Sequence, residues 1–233
     1  MIISHKYKFI FVKTRKTAGS SIQMYLSQLC STEDIITPMD RAEQSYTPRN
    51  YQGLFNPYQP MLNKRSNSQV LKTFWRFMTL NKFHSHISAM DIKSLVPDRI
   101  WNEYYKFAVD RNPWDKVLSH YHYSRQRFDK FDNNISFDDF ISFGELPHNY
   151  HKYTDRNGKL MLNRIILYEN LNEDLGEVFK MLGIPFEDGL GAKEKSHYRK
   201  DRRPYQDVYT EKQAKRVTSF FKDEIRMHGY KFR

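Results

Sequence analysis

Six consecutive residues, Lys16-Thr17-Ala18-Gly19-Ser20-Ser21, have the composition of a loop that binds phosphate. They follow an apolar run over residues 7–12 and precede a helix-like segment over 22–29. The first N–H groups of a helix have no partner within the helix, and the helix dipole favours an anion beside them. A strand, a turn of small residues and a helix start therefore predict an anion site at this turn.

The side chains of the turn suit the same chemistry. Gly19 allows the backbone to turn tightly and to approach a ligand closely, and Lys16 adds a positive charge. The hydroxyls of Ser20 and Ser21 either cap the helix or bind phosphate oxygens. The order is not that of a Walker A loop, in which Lys follows the glycines. An ordinary helix with a serine cap explains the same residues equally well.

A second candidate phosphate site pairs Arg111 with Ser119. Arg111 follows a short buried-strand pattern at residues 106–109, and Ser119 lies on the helix predicted next. Arginine offers a planar fork of donors that matches phosphate oxygens, and serine adds a hydroxyl. The alternative is an ordinary surface ion pair between Arg111 and Asp110 or Asp115.

Two histidines are candidates for a general base. An imidazole titrates near neutral pH, and His84 and His86 face the same side if their segment is extended. Their spacing also permits metal binding, but only Asp91 lies near enough in sequence to add a ligand, so we expect no metal site. His148 and His151 lie in a polar, turn-rich segment, where we expect solvated side chains.

Hydrophobic periodicity predicts strands that alternate with helices, the pattern of an α/β fold with a mainly parallel sheet. In such sheets ligands bind beyond the carboxyl ends of the strands, so the two phosphate sites and the histidines should converge. Proline and glycine punctuate residues 31–80, which predicts a loop-rich insertion that covers the substrate. The predicted strands are 7–14, 106–109 and 164–168; the helices are 20–30, 70–80, 88–95, 113–127, 136–143, 171–182 and 210–228.

Composition limits the partners. The chain has 233 residues, enough for one large domain, and its net charge of +11 favours an anionic partner. Cys30 is the only cysteine, so no intramolecular disulfide is possible. We expect no membrane span, because no apolar run is long enough, and a cytoplasmic protein, because the first residues lack the layout of a signal peptide.

Two motifs together resemble the sulfotransferases. Residues 10–21 resemble the loop that binds the 5′-phosphosulfate in that family, and residues 106–119 resemble its 3′-phosphate-binding strand and helix. The run His86-Ile87-Ser88-Ala89 resembles the segment with the catalytic base. Residues 167–171 and 221–232 also resemble family landmarks, whereas residues 31–80 and 144–163 do not. The closest variety is the heparan 2-O-sulfotransferase type of carbohydrate sulfotransferase, with its bacterial relatives.

The resemblance implies a single domain over residues 1–233, in which helices flank a central parallel sheet related to that of the P-loop kinases. It implies the donor 3′-phosphoadenosine-5′-phosphosulfate, no metal, and a hydroxyl or amine acceptor. It further implies that Lys16 lies at the bridging oxygen of the leaving phosphate, and that the 5′-phosphate is bound by the amides of Thr17, Ala18, Gly19, Ser20 and Ser21. The 3′-phosphate would be bound by Arg111 and Ser119, and the adenine or the 3′-phosphate would be contacted by Tyr198 and Arg199. His86 would be the base, and His84 would support it.

The chain departs from the family at Arg15, where the loop usually has proline. Lys13 competes with Lys16 for the same role, but its pattern places it within the strand. Asp110 is unusual beside a phosphate site, so we expect its side chain on the opposite face.

The acceptor is less defined than the donor. The basic charge favours an acidic glycan, and we expect the insertion at 31–80 to select it. A nucleotide-dependent kinase is an alternative, but the chain lacks the Walker A order and an evident carboxylate pair for Mg²⁺. A basic nucleic-acid-binding module would also explain the charge, although it would not need Lys16, Arg111 and Ser119; we therefore expect no nucleic acid partner.

Overall fold

A computed structural model describes residues 1–39, 46–64, 66–127, 135–186, 189–190 and 203–232. The strands are β1 (Ile2–Ser4), β2 (Phe9–Val12), β3 (Ile35–Ile36), β4 (Tyr105–Asp110) and β5 (Arg164–Leu167). The helices are α1 (Gly19–Leu29), α2 (Tyr58–Leu62), α3 (Asn67–Met78), α4 (Ala89–Leu95), α5 (Asp98–Glu103), α6 (Pro113–Arg127), α7 (Phe137–Phe143), α8 (Tyr150–Tyr153), α9 (Leu171–Leu182), α10 (Glu211–Phe220) and α11 (Lys222–His228).

The strands form one mixed sheet in the order β3-β1-β2-β4-β5. The three strands predicted from the sequence, β2, β4 and β5, are parallel neighbours, and Phe11 lies opposite Phe107. The α/β class is therefore confirmed. The antiparallel strands β1 and β3 were not predicted, because runs of three and two residues carry little periodic signal.

Both faces of the sheet are buried, which explains the continuous apolar runs of the parallel strands. Alternate residues of β2 point to opposite faces: Phe9 and Phe11 pack with Phe107 and α9, whereas Ile10 and Val12 pack in a second cluster with α4. Helices therefore cover the sheet on both sides. The polar residues that follow β2 and β4 lie at the carboxyl ends of these strands, where ligands bind in such sheets.

Several predicted helix ends are confirmed. The hydroxyls of Ser88 and Ser136 accept hydrogen bonds from backbone N–H groups in the first turns of α4 and α7. The single helix predicted over 210–228 is wrong, since it is two helices separated at Phe221, which leaves helical geometry at φ −101° and ψ 22°. The Phe221 ring is fully buried, and α11 starts afresh with Glu224 turned into the interior.

A buried ionic cluster joins β4 to the C-terminal helices. The ammonium of Lys116, on α6, lies 2.9 Å from the carboxylate of Asp110 and also contacts Glu224 of α11. All three side chains are fully buried. Asn149 Nδ2 and the Tyr153 hydroxyl donate further hydrogen bonds to Asp110, at 3.0 and 2.7 Å. The Asp110 side chain thus points into the interior, where it is fully buried.

The charges of the cluster depend on one another. Burial disfavours ionisation of Asp110, but the Lys116 ammonium and three hydrogen bonds outweigh it and hold the pKa of Asp110 below its usual value. Burial, reinforced by the charge of Asp110, raises the pKa of Glu224 to about 7. One ammonium therefore serves two buried carboxyl groups, and its removal would leave both without their cation.

We expect Lys116→Met to lower the free energy of unfolding by about 3–5 kcal/mol, because it leaves two buried carboxyl groups without their cation. Urea unfolding at neutral pH measures the change. Lys215→Met is the matched control, because Lys215 pairs with Glu211 on the exposed face of α10 and should contribute less than about 1 kcal/mol. Equal losses in the two variants would contradict the assigned role of the cluster.

Candidate active site

The segment between β2 and α1 has a backbone suited to anion binding. Lys16 and Ala18 have positive φ angles of 62° and 57°, whereas Thr17 between them does not. Alternating φ signs turn successive N–H groups toward a common concavity, the arrangement called a nest. The positive φ angles therefore fall at Lys16 and Ala18 and not at Gly19, to which the sequence analysis assigned the tight turn.

Gly19 instead makes room for a lysine. Lys13 follows the last residue of β2, so the prediction that it lies within the strand is wrong. Its side chain is buried and passes over Gly19. A Cβ atom added to residue 19 would lie 2.9 Å from Cγ of Lys13. A larger residue at 19 would displace Lys13, and Lys13 remains a second cation beneath the loop.

Helix α1 begins without a side-chain cap. Ala18 is the N-cap residue, and no side chain accepts a hydrogen bond from the first turn. The alternative of a serine-capped helix is therefore wrong. Gly19, Ser20 and Ser21 form the first turn, whose N–H groups have no acceptor within the helix. These amides, together with the nest, are the natural ligands for an anion.

Contacts from distant segments hold this loop in place. The Thr14 hydroxyl donates to the carbonyl oxygen of Val109 and lies 2.7 Å from the Thr17 hydroxyl. The Arg15 N–H donates to Asn149 Oδ1 at 2.9 Å, and Asn149 Nδ2 donates to the Arg15 carbonyl at 3.1 Å. Asn149 was not predicted as a site residue, since a single asparagine in a polar, turn-rich segment gives no signal. The Arg15 side chain itself pairs with Glu145 at 3.4 Å.

Arg111 lies beside the loop at the end of β4. Its guanidinium forms an ion pair with Asp115 at 2.6 Å, as the alternative interpretation of Arg111 predicted. Both side chains are largely buried, so this is not an ordinary surface pair. Arg111 Nη1 donates to the Lys16 carbonyl at 3.4 Å, and the guanidinium lies 4.1 Å from the Tyr168 ring centre. Asp115 and Tyr168 thus orient the fork toward the loop.

The Lys16 side chain reaches the face of α6 on which Ser119 lies. The Lys16 ammonium lies 4.0 Å from the ring centre of Tyr123. Residues 119 and 123 are one helical turn apart and share a face of α6. Ser119 is half-buried. The Lys16 ammonium therefore lies against the face of α6 that includes Ser119.

His84 and His86 line one cavity of about 330 Å³. Their segment is a turn and not extended, because the Ile87 N–H donates to the His84 carbonyl. His86 Nδ1 lies 3.1 Å from the Lys13 carbonyl oxygen. A carbonyl only accepts, so Nδ1 carries the proton and Nε2 keeps its lone pair when the ring is neutral.

Burial and positive charge keep both imidazoles neutral. Burial, with the nearby Lys13 ammonium, lowers the pKa of His86 to about 3. Burial and the charges of Arg76 and Lys152 hold the pKa of His84 well below its usual value. Each ring is therefore an unprotonated base at neutral pH.

Cations dominate the walls of this cavity. Lys152 donates to the His86 carbonyl at 2.7 Å, and burial lowers its pKa to about 8. The carboxylate of Asp91 pairs with Lys64. Five basic side chains and two carboxylates contribute to the lining: Lys64, Lys72, Arg76, Lys152 and Arg156, with Asp91 and Asp155. Part of the insertion, including α3, thus forms the wall opposite the loop.

Two predicted residues, Tyr198 and Arg199, lie outside the described part of the chain. Within the part that is described, no cluster of three or more His, Cys, Asp or Glu side chains is placed to hold a metal ion. Helices long and apolar enough to cross a membrane are likewise absent from those residues.

The geometry defines a class: an α/β protein with a nest-like loop at the carboxyl ends of parallel strands, and with a cationic cavity lined by two neutral histidines. Residues 1–231 match the sequence profile of the sulfotransferase family. The chain belongs to that family, and the protein is an enzyme, a sulfotransferase. Members generally use 3′-phosphoadenosine-5′-phosphosulfate and act on a hydroxyl-bearing acceptor. An uncharacterized protein of Archaeoglobus fulgidus is 40% identical over 100 residues, which cover 41% of this chain and 82% of that relative.

The neutral histidines predict a loss of stability in acid. Because the pKa of His86 is about 3 when folded and about 6.5 when unfolded, below pH 6.5 the unfolded chain takes up a proton that the folded chain does not. Stability should be complete above pH 6.5 and fall by up to about 1.4 kcal/mol per pH unit for this imidazole as the pH drops. Urea unfolding at pH 7, 6 and 5 measures the slope. His86→Gln removes this titrating group and should reduce the slope by up to about 1.4 kcal/mol per pH unit, the other histidines keeping their share. An unchanged slope would refute the assignment.

Proposed function

We propose that this sulfotransferase moves a sulfuryl group from 3′-phosphoadenosine-5′-phosphosulfate to a hydroxyl of an anionic acceptor, a carbohydrate. The observation that carries the proposal is the position of His86. Its Nδ1–H is fixed on the first residue of the anion-binding loop, and the same ring lines the cationic cavity. One base thus lies between a site for a phosphate donor and a site for an acceptor.

The donor has two separate phosphate positions, and the site offers two corresponding groups of ligands. The nest and the N–H groups of Thr17 to Ser21 suit the 5′-phosphate. Arg111 and Ser119, at the end of β4 and on α6, suit the 3′-phosphate. Lys16 belongs to the loop and is assigned to the oxygen that bridges sulfur and phosphorus.

Transfer then needs positioning and charge stabilisation more than covalent participation by the protein. The acceptor oxygen attacks sulfur and loses its proton to Nε2 of His86. The bond between sulfur and the bridging oxygen breaks, and that oxygen keeps the electron pair as part of the leaving phosphate. The Lys16 ammonium stabilises the charge that develops there, and Lys13 adds to the positive field beneath the loop.

The low pKa of His86 describes the protein before the donor binds. A highly anionic donor beside Lys13 offsets the positive charge that contributes to that low pKa. Binding of the donor therefore raises the pKa of His86 toward the range in which a general base is most effective. This coupling ties the readiness of the base to occupation of the donor site.

The cavity supports an anionic acceptor. Its excess of cations includes Arg76 from α3 and the half-buried Lys152, for which the described residues supply no carboxylate within ion-pair distance. A carboxylate or sulfate on a sugar would neutralise this charge, whereas a neutral acceptor would leave it buried and uncompensated. The insertion contributes much of the lining, which agrees with its proposed role in acceptor choice.

A thermal-shift assay followed by an acceptor screen tests the function. Adenosine 3′,5′-bisphosphate should raise the melting temperature without Mg²⁺, because binding to the folded state alone stabilises it. ATP with Mg²⁺ should not match that shift. With labelled donor, acidic glycans should accept label in preference to neutral glycans of the same size. Selective stabilisation by ATP with Mg²⁺ would favour a kinase, and equal labelling of neutral glycans would refute the anionic acceptor.

Substitutions at Lys16 and His86 test the mechanism. Lys16→Ala should abolish transfer because the leaving phosphate loses its cation. His86→Ala should lower the transfer rate by about 10²–10⁴-fold by removing the base, while adenosine 3′,5′-bisphosphate still binds. Single-turnover transfer and thermal shift measure the two effects separately.

His84→Ala is the matched control, because His84 lines the same cavity but makes no contact with the loop that would fix a tautomer there. It should reduce transfer far less than His86→Ala. A larger loss at His84 would exchange the two assignments, and full activity of Lys16→Ala would refute the role of Lys16.

A further inference from the structure

Helix α3 exposes an apolar face. Leu71, Phe74, Trp75 and Met78 follow the i, i+3, i+4, i+7 spacing of one helix side, and each is between 46% and 69% exposed. Such a face usually packs against a core. Here the opposite side of the helix lines the cationic cavity through Gln69, Lys72 and Arg76, so the apolar side is directed outward.

The chain around this helix has an unusual charge pattern. Residues 44–90 contain six lysines and arginines and no aspartate or glutamate. The same stretch also exposes Leu54, Tyr58 and Leu62. A helix with Trp, Phe and Leu on one side and Lys and Arg on the other, set in a cationic segment, has the composition of a helix that lies in a membrane interface.

We propose that the exposed face of α3, formed by Leu71, Phe74, Trp75 and Met78, binds the surface of an anionic lipid membrane. The apolar side chains enter the boundary between headgroups and acyl chains, and the cationic stretch attracts the negative surface. Charge complementarity favours this occupant over a second copy of the chain, because a symmetric dimer through α3 would bring two cationic segments together.

Membrane binding would place the acceptor cavity next to the lipid, since α3 contributes to both. The inference does not require a particular donor or acceptor, because it concerns the outer side of α3 alone. It is distinct from a membrane span: the helix would lie along the surface without crossing it.

Vesicle flotation tests the proposal with the full chain. The protein should float with vesicles of equal parts phosphatidylcholine and phosphatidylglycerol and remain at the bottom with phosphatidylcholine alone. High salt should weaken the binding, because the attraction is partly electrostatic. Trp75 also gives a direct signal, since Trp101 and Trp114 are buried. The emission of Trp75 should shift to shorter wavelength with the anionic vesicles only.

The variant Leu71→Gln/Trp75→Gln should bind anionic vesicles at least about tenfold more weakly, because binding scales with the apolar area buried. Phe143→Gln/Met181→Gln is the matched control, as both side chains are exposed but lie on α7 and α9. It should bind like the unmodified protein. An unchanged melting temperature and an unchanged circular dichroism spectrum show that each variant is folded.

Three outcomes would overturn the proposal. The first is no flotation with anionic vesicles. The second is equal loss in the two double variants. The third is a vesicle-free dimer, seen by sedimentation, that disappears in Leu71→Gln/Trp75→Gln, which would assign the face to self-association.

Discussion

The fully buried ammonium of Lys116 is the interaction on which the geometry of the site depends. It joins Asp110, the last residue of β4, to Glu224 on α11, more than a hundred residues later in the chain. A buried charge is costly unless it is paired, so this arrangement tolerates little displacement of either partner. The end of β4, the first turns of α6 and the C-terminal helix are thereby held in one position.

Asn149 extends that constraint to the anion-binding loop. Its side chain donates to Asp110 and at the same time pairs with both backbone groups of Arg15, and its own N–H donates to Glu224. The loop contains two residues, Lys16 and Ala18, in a backbone region that side chains disfavour. Strained geometry persists where surrounding contacts over-determine it. Preorganised N–H groups then need little rearrangement when an anion arrives.

Structural elements could be predicted from the sequence where a continuous stretch of residues has the pattern of a strand, a helix cap or a loop. The parallel strands β2, β4 and β5 have continuous apolar runs, and the caps at Ser88 and Ser136 precede the helices that they begin. The loop from Lys16 to Ser21 was recognisable from small residues between a strand and a helix. By contrast, β1 and β3 are too short for periodicity to be visible, and the break at Phe221 arises from packing of its ring.

The candidate site shows the same division. Lys16, Arg111 and Ser119 were predicted from their positions in a loop, at a strand end and on the helix that follows it. His86 was predicted as the base because its segment resembles the one that contains the catalytic base of the family. Asn149 and Lys152 were missed, since their importance comes from partners 39 or more residues away, at Asp110, Arg15 and His86. The serine cap at α1 was wrong for a local reason, because Ala18 in the left-handed region becomes the N-cap before either serine.

One electrostatic argument connects the loop, the base and the cavity. The positive charges that prepare the site for anionic substrates also disfavour protonation of His86, so the attraction and the neutral base have a common origin. Hydrogen bonding of Nδ1 to the Lys13 carbonyl then decides which nitrogen faces the cavity. Removing one cation from the wall would consequently weaken attraction for the acceptor and raise the pKa of the base at the same time. In the proposed reaction, binding of the substrates and the basicity of His86 are therefore coupled through charge.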